Sequence, residues 1–187
     1  MKNYFFSIIM PVYNREYFLE KSIESVVSQN YPNFELIVVD DGSTDRSRQI
    51  INSMIVNNPK IKIHYYRKEN GERGAARNYG ADRASGDFLN FFDSDDLLYP
   101  HHLFTANQLL NEHPEADWFH LAYDIKNEMS ELLKARSYLD KNPNRLLISG
   151  NHLSCNGVFV RKDIFSKNQF HTNRMLAGLE DWELWLV

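Results

Sequence analysis

The chain has 187 residues, 43% of them hydrophobic and 13% aromatic, which allows one domain with a substantial core and excludes disorder. A net charge of −4 and an isoelectric point near 6.0 provide no basic field for nucleic acid. One cysteine, Cys155, excludes an internal disulfide framework; it reads as an inert buried thiol in a reducing, cytoplasmic compartment.

The elements follow in order. Phe5–Val12 reads as a buried strand, since it lacks the long apolar stretch and small-residue cleavage site of a signal peptide. Arg15–Gln29 reads as a helix with Phe18, Leu19, Ile23, Val26 and Val27 on one stripe, broken by Pro32. Phe34–Val39 is a continuous apolar strand ending at Asp40 and Asp41. Ser43 or Thr44 is placed to cap a helix running to about Ile55. Residues 57–59 form a turn, Ile61–Tyr66 a third strand, Arg73–Ala84 a helix, Gly86 and Asp87 a turn, and Phe88–Phe92 a fourth strand.

Beyond Pro100 the pattern loosens. A helix is expected at His101–Asn111, a strand at Trp118–Tyr123, an irregular polar stretch from Lys126 to Asn151, and a short strand at Gly157–Arg161. His101 and His102 are adjacent, point apart and are expected at the surface. In the terminal helix Trp182, Trp185 and Leu186 fall at helical spacing, and the chain stops uncapped in mid apolar pattern. The expectation is therefore a piece of a longer protein. No apolar run approaches the roughly 20 residues that span a bilayer.

Strands alternating with helices predict an α/β fold, a doubly wound and mostly parallel sheet with helices on both faces. Ligands of such sheets bind outside the carboxyl ends of the strands. Three of those ends carry polar clusters: Tyr13 and Asn14, Asp40 and Asp41, and Asp93, Ser94, Asp95. Asp93, Asp95 and Asp96 crowd like charges directly after a buried strand, which is costly unless a cation shares the site. In an extended segment Asp93 and Asp95 face one way and Ser94 the other. Two hard oxygen ligands suit Mg²⁺ or Mn²⁺ holding a diphosphate. The bland alternative is a solvated acidic turn.

The first glycine is Gly42, so the glycine-rich turns of a dinucleotide fold or a P-loop are absent after the first strand. An aspartyl phosphatase would carry its acidic pair after the first strand, whereas this triplet follows the fourth. Five segments now stand in order: PVYN (11–14), VVDDGSTD (38–45), GAARN (74–78), FDSDD (92–96) and EDW (180–182). Together they resemble family 2 glycosyltransferases with the GT-A fold, over residues 7–187.

The resemblance implies inverting transfer of a sugar from a nucleotide-sugar donor, with uridine favoured, to a hydroxyl of a glycan or glycolipid-type acceptor. It implies a single catalytic domain, with residues 1–99 as the nucleotide half and 100–187 as the acceptor half. Pro11, Tyr13, Asn14 and Arg15 would line the base pocket, Tyr13 stacking on the pyrimidine; many relatives carry an acidic residue where Arg15 stands. Asp40 would accept a hydrogen bond from the base, as a rim residue with little core packing, and Asp41, Gly42 and Ser43 would shape the turn. Arg73 and Arg77 would meet the diphosphate or sugar, with Gly74 and Asn78 in the same motif and Asn78 ordering the loop. Asp93 and Ser94 would join the donor site, and Asp93 with Asp95 would hold Mn²⁺ or Mg²⁺. Asp96 would cap the helix after Pro100 or orient its neighbours. Asp181 would be the general base, with Glu180 and Glu183 competing for that role. Trp182 and Trp185 are most simply core, the alternative being an aromatic beside the base that stacks on a sugar face. The resemblance also implies peripheral contact at the inner membrane surface. A nucleotide-sugar-binding module with little activity, and a metal-dependent phosphatase, remain as alternatives.

Overall fold

The computed structural model describes residues 1–127, 131–136, 151–173, 175 and 178–185. Strand β1 (Phe6–Val12) and strand β2 (Phe34–Asp40) are buried at every position. Their mostly apolar sequences follow from helices covering both faces of the sheet. They pair in parallel, with Phe6 opposite Phe34 and Val12 opposite Asp40. Strand β3 (Lys62–Arg67) alternates in burial as the outer parallel partner of β2, and β4 (Phe88–Phe91) lies parallel on the other side of β1.

The sheet continues through β8 (Val158–Arg161), antiparallel to β4, to β5 (Trp118–His120), giving the order β3-β2-β1-β4-β8-β5. The mostly parallel, doubly wound sheet thus stands as expected. Side chains of one strand alternate between two cores. Ile8 and Met10 of β1 pack with helices α1 (Leu19–Val27), α2 (Ser47–Asn57) and α4 (His102–Glu112). Ile9 packs on the opposite side with α3 (Glu72–Ala81), α5 (Lys162–Phe165) and α6 (Glu180–Trp185).

Several local expectations are corrected. Helix α2 begins at Ser47, so neither Ser43 nor Thr44 caps it; Asp45 Oδ1 accepts the Ser47 N–H at 2.9 Å instead. The strand foreseen at 118–123 is two elements, because β6 (Tyr123–Lys126) leaves the main sheet to pair with β7 (Leu132–Arg136). Strand β7 also interrupts the stretch read as irregular, most of which lies outside the described residues, as does Leu186. His102 is not a surface residue: its ring packs 5.1 Å from Phe159, and burial drives its pKa down to about 3. Trp185 packs 6.1 Å from Phe170, as a core residue should. Cys155 is buried, and burial pushes its thiol pKa up, as an inert thiol requires. Among the described residues no helix is long and apolar enough to cross a membrane.

Candidate functional site

Four walls rise at the carboxyl rim of the sheet. The first follows β1. Asn14 adopts a left-handed φ of 51°, which asparagine tolerates better than most residues. Its N–H donates to Ser43 Oγ at 3.0 Å, and its Oδ1 accepts the Thr44 N–H at 2.9 Å. The loop after β1 is thereby stitched to the loop after β2, leaving the Tyr13 ring half-exposed between them. Pro11 is buried inside β1, opposite Val39, and offers almost no surface to a ligand. That departs from its expected place in a pocket wall.

The second wall is the turn after β2. Gly42 takes a φ of +85°, a conformation that L side chains rarely adopt. Asp40 is fully buried rather than a lightly packed rim residue. Its Oδ1 accepts the Ser43 N–H at 2.7 Å, its Oδ2 the Tyr65 hydroxyl at 2.8 Å, and Arg67 Nε lies at 3.6 Å. Burial, then the bond to Asp40, pushes the Tyr65 phenol up to about 12. Asp41, on the alternate side of the strand, accepts Lys68 Nζ at 2.6 Å and the Gly71 N–H at 3.0 Å. Gly42, Arg67, Lys68, Glu69 and Asn70 line an open cleft of about 450 Å³ beside this turn.

The third wall is the acidic segment after β4, which is a turn and not an extended strand. The Asp96 N–H donates to the Asp93 carbonyl at 3.2 Å. Asp93 and Asp95 therefore engage different cations: Arg77 Nη2 reaches Asp93 Oδ1 at 2.6 Å, and Arg15 Nη2 lies 3.4 Å from Asp95 Oδ2. Ser94 is buried, its carbonyl accepting the Ser22 hydroxyl of α1 at 3.0 Å, so its side chain offers little to a donor. Asp96 does not cap α4; it accepts the Asn156 side-chain amide. Burial raises the Asp96 pKa, and the charges of Asp93 and Asp95 add to that rise.

The fourth wall joins α3 to α6. A Cβ on Gly74 would sit 2.8 Å from the His171 carbonyl, so only glycine allows this approach. Asn78 grips the Phe170 backbone twice, accepting its N–H at 3.0 Å and donating to its carbonyl at 2.8 Å. Asn78 thus orders a loop as expected. Arg77 is 1% exposed and wholly internal. It cannot reach a diphosphate from there; it pairs Asp93 with Glu180, the latter at 2.8 Å. Arg73, half-exposed, lies 3.5 Å from Glu180 and is the arginine of the two with surface to offer. Asp181 keeps partial exposure; Asn151 Nδ2 donates to its Oδ2 at 3.0 Å, and the Trp182 N–H to its Oδ1.

A profile of the family described as Glycosyl transferase family 2 matches residues 7–168. The chain belongs to this family. Membership sets aside the phosphatase alternative. The minor teichoic acid biosynthesis protein GgaB of Bacillus subtilis is 32% identical over 182 residues, covering 91% of this chain and 20% of the relative. The crystal structure of S. aureus TarS 1-349 in complex with UDP aligns with a TM-score of 0.76 at 27% identity, covering 96% of this chain and 53% of that one. The mannosyltransferase PcManGT from Pyrobaculum calidifontis, in complex with GDP-Man and Mn²⁺, has the same TM-score at 19% identity, covering 98% of this chain and 51% of that one. The architecture is the GT-A fold of these transferases. The chain spans 62%, 20% and 29% of the lengths of three curated relatives it matches.

Within this family 2 domain, two asparagines join the site that the sequence did not single out. Asn156 Oδ1 accepts the Asp93 N–H at 3.0 Å while its amide holds Asp96, so one side chain clamps the acidic turn from behind. Asn151 orients Asp181. Their only local signal is an Asn-Gly turn at 156–157, which names no partner.

Proposed function

We propose that this domain transfers a sugar from a uridine diphosphate sugar to a hydroxyl of a glycan or glycolipid-type acceptor, with inversion at the anomeric carbon. The observation that carries this reading is a buried arginine between the two acidic elements. Arg77 touches Asp93 of the acidic turn and Glu180, the neighbour of Asp181. A donor-side carboxylate and the residue next to the candidate base thus stand one side chain apart. The likeness to TarS in complex with UDP supports a uridine donor, and the relative's part in teichoic acid biosynthesis supports a polymer acceptor. A lone buried cysteine supports work in the reducing cytoplasm, with the acceptor met at the inner membrane surface.

Tyr13, half-exposed, would stack on the base. Asp41 and Asp40 would hold the turn that faces it, and Arg73 would meet the diphosphate or the sugar. Asp93 and Asp95 would hold Mn²⁺ or Mg²⁺. Arg77 engages one oxygen of Asp93 and Arg15 one of Asp95, which leaves each a second hard donor. Among the described residues no three His, Cys, Asp or Glu side chains are gathered for a metal, so the diphosphate would supply the remaining ligands. Such an ion neutralises the departing diphosphate.

Asp181 would take the proton of the acceptor hydroxyl as its oxygen attacks the anomeric carbon. The bond from that carbon to the diphosphate oxygen breaks, and its electron pair leaves with the diphosphate. One carboxylate suffices because inversion forms no covalent intermediate. Asn151 would keep that carboxylate aimed.

The test is thermal unfolding with uridine diphosphate, in Mn²⁺ and in chelator, followed by transfer assays on the full-length protein. A ligand specific for the folded state adds about 2.7 kcal/mol at a hundredfold excess over its Kd. Equal stabilisation in chelator would overturn the metal assignment, and none in either would overturn the donor. Asp181→Asn should lower transfer roughly 10²–10⁴-fold with donor affinity kept; transfer that survives it moves the base elsewhere.

A further inference from the structure

Glu180 competes with Asp181 for the base role when only the sequence is read. Its surroundings assign it other work. It is 3% exposed, with Oε1 on Arg77 Nη1 at 2.8 Å and Oε2 accepting the Gly178 N–H at 2.6 Å. A carboxylate so enclosed cannot meet an acceptor hydroxyl. Arg77 is equally confined, with the Phe170 ring centre 5.2 Å from its guanidinium carbon. Among the described residues its buried Nε has no hydrogen-bond partner, so its two Nη ion pairs carry its hold on both acidic elements.

We propose that Arg77 and Glu180 are positioning residues, an internal strut that sets Asp181 against the acidic turn and couples donor binding to the placement of the base. Helix α6 carries Asp181 directly after Glu180. Its anchors are the strut and the apolar contacts of Leu184 and Trp185. This inference rests on the reading of Asp93 as a donor-side carboxylate. A cation drawing on Asp93 weakens that carboxylate's claim on Arg77 and leaves more of the arginine's charge to Glu180. Donor binding at one wall therefore tightens the base-bearing helix at the other. Arg73, half-exposed and screened by solvent, contributes less to Glu180.

The experiment compares full-length wild type with Glu180→Gln and Glu180→Asp. Uridine diphosphate with Mn²⁺ is the probe, and the readouts are calorimetry, transfer kinetics and amide exchange over 179–185. In wild type the probe should slow exchange in α6 several-fold. Glu180→Gln should bind the probe within about threefold of wild type, lose that slowing, and show kcat reduced 10–100-fold with donor KM little changed. Glu180→Asp, which keeps the charge, should retain more of kcat than Gln. Glu35→Gln is the stability control. Glu35 is equally buried but lies towards the opposite ends of the strands, bonded to Ser7, Ser85 and His64. It should lower stability and leave kcat unchanged.

Unchanged α6 exchange in wild type that binds the probe overturns the strut alone. So does wild-type kcat in Glu180→Gln, or an equal kcat loss in Glu35→Gln. Failure of wild type to bind the probe overturns the donor reading, and the strut with it.

Discussion

Asp40→Ala tests whether the residue serves the turn or the ligand. The carboxylate is 0% exposed and has three neighbours, which can be weighed separately. The Ser43 N–H, in a buried turn at 2.7 Å, loses its partner at a cost of about 1–3 kcal/mol. The Tyr65 hydroxyl is only part-buried and can turn to water, so its bond contributes about 0.5–1.5 kcal/mol. The Arg67 contact at 3.6 Å involves a half-exposed guanidinium and adds at most about 1 kcal/mol. Together the substitution should cost about 1.5–5.5 kcal/mol, a large share of a typical domain's stability. Urea unfolding should show a lower midpoint at unchanged slope. Tyr65→Phe should cost about 1 kcal/mol, because it removes one bond and leaves the Ser43 anchor. Uridine diphosphate affinity should fall in Asp40→Ala through the loosened Gly42–Ser43 turn. A stability change below about 0.5 kcal/mol together with abolished nucleotide binding would refute this reasoning and return Asp40 to the ligand.

Asp95→Ala should remove the difference between Mn²⁺ and chelator in stabilisation by uridine diphosphate, read as a thermal shift, while leaving the apo protein near wild type because the side chain is 44% exposed. Asn156→Ala should weaken Mn²⁺-dependent nucleotide binding, measured by calorimetry, since Asp93 loses its backbone anchor and Asp96 its amide partner; unchanged affinity would mean that the turn holds its own shape. Acid should destabilise the fold through two histidines. Burial holds the pKa of His102 near 3 and of His120 near 4 against an ordinary 6.5, so below pH 6.5 the unfolded chain takes up protons that the native one refuses. Their stabilising contribution is complete above that pH and is lost as pH falls towards 3, and His102→Phe should flatten this limb in a pH series of melting temperatures.

Much of the fold was legible along the chain. Strands β1 and β2 are mostly apolar because both faces of the sheet are covered, and their polar members Ser7, Glu35 and Asp40 are buried with hydrogen-bond partners. The acidic and polar residues that end β1, β2 and β4 mark the rim where such a sheet binds ligands. The order of five short motifs carried the family. Boundaries were less legible: α2 starts four residues after Ser43, because Ser43 is taken up by Asp40 and Asn14 instead of capping a helix.

What only the tertiary structure decided is which charges face the ligand and which are consumed inside. An arginine in the first turns of a helix reads as surface until its neighbours are known. Arg77 is buried because Asp93, 16 positions away, and Glu180, 103 positions away, converge on it and offset the cost of taking its charge out of water. Asn156 enters the site the same way, from the short turn at Cys155–Gly157 that leads into β8, the strand antiparallel to β4, and its amide lies beneath the acidic turn. Hydrophobic periodicity is local and survives in the sequence. The pairing of polar groups is set by which strands become neighbours, and strand order is a property of the folded sheet.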